Sequence, residues 1–292
     1  MKVLVTGASG KLGSVVCAHL LEHGFDLVAT DRRHRDGLPK LLKLKLADLC
    51  DDTAVYNLMD GCEAVVHLGN HPSLHGALSA QRLLAENTAM NANVFRAATD
   101  QGVRRLVFAS SVQAMIKMDN GLRAEEPFPI PYLPLDGAAP ANPGVNFYGL
   151  SKEIAELLLQ RVCAAHSSLA ATSLRFPWLV NEQLLERMSG SGKPVPRSHF
   201  NFGELLAYLM FSDAAELVRA VLERQLPGYH QYYPAQTLQI RGRTPAELVA
   251  ELYPHVPLRR PPAELDCLVD ISAITQATGW VPRHQAQAQF ER

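Results

Sequence analysis

The stretch Thr6-Gly7-Ala8-Ser9-Gly10-Lys11-Leu12-Gly13 constrains this chain more than any other. It follows directly on the apolar run Val3–Val5 and opens into the helical pattern Leu12–Glu22, so it reads as a turn between a buried strand and a helix. Glycines at 7, 10 and 13 permit a tight turn, close approach of an anion to the backbone, and close packing of helix on strand. The helix N-terminus beyond them attracts a phosphate. The spacing, GxxGxxG, is one residue wider than the usual dinucleotide fingerprint, and the strand before it and helix after it supply the context that the motif needs. Gly7, Ser9, Gly10, Lys11, Leu12 and Gly13 are therefore expected to cradle a pyrophosphate.

The same alternation runs on through the first two-thirds of the chain. Leu27–Thr30, Leu42–Leu46, Ala64–Leu68, Leu106–Ala109 and Thr172–Phe176 read as further strands, and Thr53–Met59, Leu83–Asp100 and Tyr148–Ala165 as helices. Strands that alternate with helices imply a parallel sheet joined by crossovers, a doubly wound α/β fold of Rossmann type. Leu42, Leu44 and Leu46 alternate with Lys43 and Lys45, which places that strand near a sheet edge. After Phe176 the pattern loosens into Pro- and Gly-marked loops. Asn201–Arg224 reads as one long helix, interrupted near Phe211-Ser212-Asp213, and Tyr229–Tyr233 as a strand. Thr244-Pro245-Ala246-Glu247 is a helix start, and a last helix spans Ile271–Thr278 before Gly279. The expected organisation is a nucleotide-binding domain over 1–176 and a smaller substrate-binding lobe over 177–292, with segments returning to the sheet.

Asp31 closes the second strand. A carboxylate there accepts hydrogen bonds from ribose hydroxyls and repels a 2′-phosphate, which selects NAD over NADP. Arg32, Arg33 and Arg35 are either solvated surface charge or a tolerance for NADP. Asp48-Leu49, past the third strand, is placed either to touch the adenine or to cap the next segment. Tyr148 and Lys152, four apart on one helix face, pair a phenol with an ammonium, and a phenol that is to act as a base near neutral pH needs its pKa lowered by roughly 3 units.

Composition narrows the classes. The 292 residues carry 47% hydrophobic and 20% charged side chains and a net charge of −1, those of an ordinary soluble globular protein with no basic patch for nucleic acid or an anionic membrane. Five cysteines without CxxC or CxxH spacing support neither a disulfide frame nor a zinc site, so no metal is expected. No uncharged apolar run is long enough for a membrane span and the start lacks a signal-peptide pattern, so the expected location is cytoplasmic.

Thr6–Gly13, Asp31, Asp48-Leu49, His67-Leu68-Gly69, Asn87, Phe108-Ala109-Ser110-Ser111 and Tyr148-x-x-x-Lys152 occur in an order that resembles the extended short-chain dehydrogenase/reductase family, of the NAD-dependent epimerase/dehydratase type. The resemblance covers about residues 1–180, and Gly279-Trp280-Val281-Pro282 is similar to the family's closing turn. It implies that Tyr148 is the acid/base and that Lys152 binds the nicotinamide ribose and lowers the phenol's pKa. Ser111 would orient the substrate oxygen, with Ser110 left to a structural role. Leu68 and Gly69 would contact the cofactor and Asn87 would organise the active-site end. A homodimer through the helix that bears Tyr148 is also implied.

The reaction is less constrained. Family dehydratases place an Asp-Glu pair after the catalytic hydroxyl residue; Val112 and Gln113 stand there, and neither is an acid or base, which disfavours dehydration. Within the family the chain resembles the uronate dehydrogenases. That likeness implies substrate contacts from Ser73, Ser111 and Gln113, and from Arg187, twelve residues after Arg175, on a substrate carboxylate. Val112, Gln113 and Trp178 depart from the polar groups of that pattern, and His71, His75 and His199 are further candidates for the pocket wall. The expected activity is hydride transfer at a carbinol carbon of a sugar or sugar acid, with a nucleotide-sugar 4-epimerase that retains its NAD, or a non-catalytic NAD(P)-binding sensor or scaffold, as alternatives.

Overall fold

Alternate residues of the central strands face opposite layers of helices, and this double burial builds the fold. A computed structural model describes residues 1–72, 78–116, 130–224 and 226–291, apart from the side chain of Ser198. Its elements run β1 (Lys2–Thr6), α1 (Lys11–Glu22), β2 (Asp26–Asp31), β3 (Leu44–Leu46), α2 (Asp52–Met59), β4 (Ala64–His67), α3 (Ala80–Asp100), β5 (Arg105–Ser111), α4 (Phe147–Ala165) and β6 (Ala170–Phe176). Then come β7 (Trp178–Val180), α5 (Glu182–Ser189), β8 (Ala207–Met210), α6 (Phe211–Arg224), β9 (Tyr229–Tyr232), β10 (Gln236–Thr237), β11 (Gln239–Ile240), α7 (Pro245–Leu252), α8 (Ser272–Thr278) and β12 (Gln287–Ala288).

The seven-stranded sheet has the order β3-β2-β1-β4-β5-β6-β9, and all its pairings are parallel. Val3, Val5, Ala29, Val66 and Val107 pack on one face against Val16 and Leu20 of α1 and Leu217, Val218 and Val221 of α6. Leu4, Val65, Leu106 and Phe108 pack on the other against Val55 of α2, Val94 and Phe95 of α3 and Leu159 of α4. Strands covered on both faces are the reason these runs read as continuously apolar. The fold is the doubly wound α/β architecture expected from the alternation. β3 is an edge strand as its lysines indicated, shortened to Leu44–Leu46.

Two segments of the 177–292 stretch rejoin the sheet: α6 packs on its α1 face and β9 pairs with β6. In the other direction Ile130, Leu133, Leu135 and Ala139 pack into the lobe with Tyr233, Tyr253 and Leu268. A small sheet, β10-β8-β7, carries the lobe beside the main sheet. The one long helix expected over Asn201–Arg224 is replaced by a 3-10 turn at Phe202–Glu204, strand β8, and then α6. Leu205 and Leu206 take left-handed conformations (φ 61° and 57°) that break any helix there. The following Ala207–Met210 run is buried on every side, which periodicity does not distinguish from a helix. The Thr244 capping box forms as expected, Thr244 accepting from Glu247 N while Glu247 accepts from Thr244 N at 2.7 Å.

A buried ion pair ties sheet to lobe. Arg175 on β6 meets Glu156 on α4 with two parallel bonds, Nε to Oε1 at 2.9 Å and Nη2 to Oε2 at 2.7 Å. Its Nη1 donates to the carbonyls of Gly137 and Ala139 at 3.1 and 2.6 Å. Ser110 Oγ donates to Glu156 Oε1 at 2.6 Å, the structural role expected of that serine, though to a carboxylate rather than to backbone. With Arg175 2% and Glu156 6% exposed, removing one strands the other as an uncompensated buried charge. Arg175→Leu is expected to cost about 3–5 kcal/mol, read from urea unfolding; a loss under ~1 kcal/mol would show that the segment at 137–139 is held by other means.

Candidate active site

The carboxyl ends of β1, β2, β4, β5 and β6 open into a cleft of about 1400 Å³ between sheet and lobe. It lies at the point where strand order reverses between β1 and β4, where ligands of open α/β sheets bind. A site for one drug-sized ligand occupies about 300–1,000 Å³, so this cleft is large enough for a dinucleotide and a second small molecule.

Its first half is the glycine loop. Gly7 has φ +67°, and a Cβ on Gly13 would lie 2.1 Å from the Gly7 carbonyl oxygen, so helix and loop approach at a distance only glycine allows. Gly10 caps α1 without a side-chain hydrogen bond, which leaves the first-turn N–H groups facing the cleft for an anion. Gly7, Gly10, Lys11, Leu12 and Gly13 line this wall with Asp31, Arg32, Asp48, Leu49, Leu68 and Gly69. Asp31 accepts from Ser9 N at 3.1 Å and Arg33 N at 3.4 Å, and each oxygen keeps a lone pair for a ribose hydroxyl. Ser9 itself is buried and donates to Arg33 O at 2.7 Å, so it braces the loop and does not face the cleft. The cradle, open helix end and rim carboxylate fit a dinucleotide.

The second half is built by α4. Asn146 caps this helix, its Oδ1 accepting from Tyr148 N at 3.0 Å and Gly149 N at 3.2 Å. A Cβ on Gly149 would lie 2.2 Å from Gln113 O, so only glycine lets the helix start press against the segment after β5. That contact brings Tyr148 beside Ser111, whose hydroxyl is near enough to favour the phenolate. Ser111 Oγ also accepts from Gln113 N at 3.2 Å. Lys152 Nζ donates to Asn70 Oδ1 at 2.7 Å and Ala109 O at 2.8 Å, and stands 5.6 Å from the centre of the Tyr148 ring.

Burial decides the charge states. The Tyr148 phenol is pushed up to about 12, first by burial and further by the Glu204 charge, against which the Ser111 hydroxyl works only partly. Lys152 is pushed down to about 7 by burial, with Glu156 opposing. In the ligand-free cleft burial disfavours both charges, raising the phenol and lowering the amine. His67, buried between Thr6 and Asn91, falls to about 3 through burial and the Lys152 charge, so it is neutral.

Other expected residues divide. Gln113, Trp178, His71 and His199 line the cleft. Asn87 lies behind it, accepting from His71 N at 2.8 Å and donating to Ser151 Oγ at 3.2 Å, so it holds the wall and is no surface amide. Arg187 is exposed on α5 outside the cleft wall, because the turn after β7 points that helix face to solvent. Ser73 and His75 lie outside the described residues. Sequence reasoning missed Asn70, Asn91 and Glu204. Asn91 carried a signal, an amide four residues after Asn87 on a mostly apolar helix face; Glu204 carried none. Glu204 is buried at the lobe wall, and its carboxyl is pushed up to about 7 by burial, against the Gln113 and Asn201 amides beside it. Among the described residues one group of potential metal ligands, His19, His23 and Glu216, comes together outside the cleft, and Arg219 already holds Glu216 through both oxygens. No described helix is long and apolar enough to cross a membrane.

The profile of the NAD dependent epimerase/dehydratase family matches residues 3–194, which include the glycine loop, Asp31, Ser111, Tyr148 and Lys152. The chain belongs to this family. The NAD expected from Asp31 agrees with the family's description. The chain is similar to the NAD-dependent glucose-6-phosphate dehydrogenase of Haloferax volcanii, 33% identical over 162 residues, 53% of this chain and 60% of that protein. It spans no more than about three-fifths of the length of such relatives. Among solved structures it superposes on a mutated uronate dehydrogenase (TM-score 0.65, 21% identity, 98% of this chain and 82% of that one). It likewise superposes on the UDP-glucose 4-epimerase of Bifidobacterium longum in complex with NAD+ and UDP (TM-score 0.70, 18% identity, 97% and 94%). These two likenesses establish the fold.

The shifted groups give stability a pH signature. Between pH 7 and 10.5 the unfolded chain keeps the Lys152 proton that the folded chain has lost, so this group makes stability rise with pH there. Between pH 4.5 and 7 the folded chain keeps the Glu204 proton that the unfolded chain has lost, so stability falls as pH rises. Denaturant unfolding across pH should show the first slope reduced in Lys152→Met and the second in Glu204→Gln, each by at most about 1.4 kcal/mol per pH unit. A profile unchanged by either substitution would assign the titration to other groups.

Proposed function

We propose that this protein is an NAD-dependent oxidoreductase that transfers hydride at a carbinol carbon of a sugar-like substrate. The observation that carries this reading is the placement of Ser111 at the end of β5 beside Tyr148, with Lys152 behind them, in the same cleft as the glycine loop and Asp31. The glucose-6-phosphate dehydrogenase, uronate dehydrogenase and UDP-glucose 4-epimerase to which the chain is similar act on sugars, which supports that substrate class.

Gly7, Gly10 and Gly13 would receive the pyrophosphate at the α1 N-terminus, Asp31 a ribose, and Lys152 the ribose next to the nicotinamide. The oxidised dinucleotide supplies the hydride acceptor and a positive charge. Ser111 Oγ holds the substrate hydroxyl against Tyr148, and Tyr148 takes its proton as the hydride leaves the same carbon. The phenol, near 12 in the ligand-free protein, needs positive charge nearby to become a base, and a Lys152 that stays protonated contributes to it. Val112 and Gln113 offer no acid or base beside Ser111, which favours oxidation over dehydration.

The test is a spectrophotometric panel of free and nucleotide-linked sugars with NAD and NADP. Net NADH identifies a dehydrogenase, isomerised product without net NADH identifies an epimerase, and silence across the panel would sink the catalytic reading. Tyr148→Phe should lower kcat about 10²–10⁴-fold, the usual contribution of a general acid/base, with NAD affinity retained; full activity in that variant would remove the mechanism. Asp31→Ala should weaken NAD binding roughly ten- to a hundredfold, as hydrogen bonds to a charged group contribute about 1.5–3 kcal/mol. The loss for NADP should be smaller, and an equal loss for both would mean that Asp31 does not read the ribose.

A further inference from the structure

The lobe wall of the cleft converges on Glu204. This carboxylate is only 4% exposed yet lines the cleft, and among the described residues no arginine, lysine or histidine pairs with it. Two amides, Gln113 and Asn201, stand beside it and favour its charged form. Their orientation follows from their other bonds. Gln113 Oε1 accepts from Asn146 Nδ2 at 2.9 Å, so its NH2 faces Glu204. Asn201 Oδ1 accepts from Glu204 N at 3.2 Å, so its NH2 is likewise free for the carboxylate. Asn146 is fixed in turn by the Tyr148 and Gly149 amides at the start of α4. Hydrogen bonds of one polarity thus run from the α4 start to Gln113, whose NH2 is turned to Glu204, and the carboxylate lies close enough to Tyr148 for the phenol to feel its charge.

The backbone is committed to this placement. Leu205 and Leu206, both buried, sit at φ 61° and 57°, a region that leucine rarely adopts and that persists only where surrounding packing enforces it. The two residues turn the chain from the Glu204 position straight into β8. A carboxylate has about four acceptor positions, and two amide donors leave the rest for a ligand.

We propose that Glu204 reads the substrate: it accepts a hydrogen bond from a hydroxyl or ammonium group and rejects a substrate that presents a carboxylate there. The inference rests on the oxidoreductase reading for the location of the substrate beside Tyr148. Above about pH 7, where Glu204 carries its charge, a second anion against this buried carboxylate is repelled, and such a repulsive element sets specificity as effectively as a new contact. The arginine expected to bind a sugar acid, Arg187, is outside the cleft. Arg197, which lines it from the lobe, donates to Glu251 at 2.7 Å and stacks on Phe202 and Phe290, 5.4 and 4.9 Å from their ring centres. The substrate class is therefore neutral or amino sugars, and not sugar acids.

The experiment, run at pH 8 where the Glu204 carboxyl is charged, uses the full chain saturated with NADH and titrates D-glucosamine, D-glucose and D-glucuronate by calorimetry, for wild type and Glu204→Gln. Glu204→Asp, which keeps the charge, is the second variant and stands in where the glutamine variant does not fold. Wild type should bind glucosamine and glucose at least tenfold more tightly than glucuronate. The glutamine variant should lower that ratio at least tenfold, and the aspartate variant should keep the order. Where Glu204→Gln does not fold, a wild-type order retained by Glu204→Asp supports the proposal and a lost or reversed order overturns it. A ratio unchanged by Glu204→Gln, or no binding of any probe to wild type, overturns the proposal. NADH formation from NAD with the same sugars is scored separately. Turnover with an unchanged ratio keeps the oxidoreductase and removes the role of Glu204; discrimination without turnover does the reverse.

Discussion

Thr6 donates to His67 Nδ1 at 2.7 Å, His67 Nε2 donates to Asn91 Oδ1 at 2.9 Å, Asn70 donates to the same oxygen at 2.9 Å, and Asn70 accepts from Lys152 at 2.7 Å. This row of side chains runs from the end of the first strand to the amine on α4, and the geometry of the cleft depends on it. Thr6 Oγ1 also accepts from Leu68 N and Gly69 N at 3.2 and 3.1 Å, which holds Gly69 against the glycine loop. Because Asn91 offers an oxygen, His67 carries its proton on Nε2, and its low pKa keeps that tautomer uncharged. Buried polar groups cost most when a bond is left unmade, so a row of this kind has one arrangement and resists others. Asn91 Nδ2 is left without a partner among the described residues, the exception in an otherwise satisfied row. The cofactor cradle and Lys152 are in this way one rigid unit.

That unit sits in surroundings that oppose charge. Desolvation raises the phenol, lowers the amine and raises the Glu204 carboxyl, all in the same direction toward neutrality. The ligand-free cleft is consequently not poised for proton abstraction, whatever its geometry. A positive charge brought in beside Tyr148 acts in low dielectric, where it shifts the phenol far more than it would in water.

How much was legible in the sequence depended on how local each signal was. The glycine loop, Asp31 and Tyr148-x-x-x-Lys152 are set by strand, turn and helix within a few residues of themselves, and the structure places all of them in one cleft. Asn70 and Asn91 act across 82 and 21 residues of chain to Lys152 and to one another, and no spacing announces that. The Asn201–Arg224 helix failed at Leu205 and Leu206, whose left-handed backbone is imposed by packing and contradicts leucine's own preference. Arg187 failed for a related reason: its distance from Arg175 along the chain says nothing about which face α5 turns to solvent.

The two halves of the cleft are thus encoded differently, and the difference bears on function. Sheet-end residues carry the proposed chemistry through short-range motifs, which is why that proposal could start from the sequence. The lobe's wall of the cleft is built through contacts between distant segments. Gln113, in the place where an acid or base was lacking, connects the two: its oxygen takes Asn146 from the helix cap and its nitrogen serves a carboxylate from the lobe. Reversing that amide would set its oxygen against a carboxylate and its NH2 against another NH2, two unfavourable contacts in place of two good ones. The orientation of Gln113 is therefore fixed from both ends, and a group bound at Glu204 is registered against the same helix start that positions Tyr148.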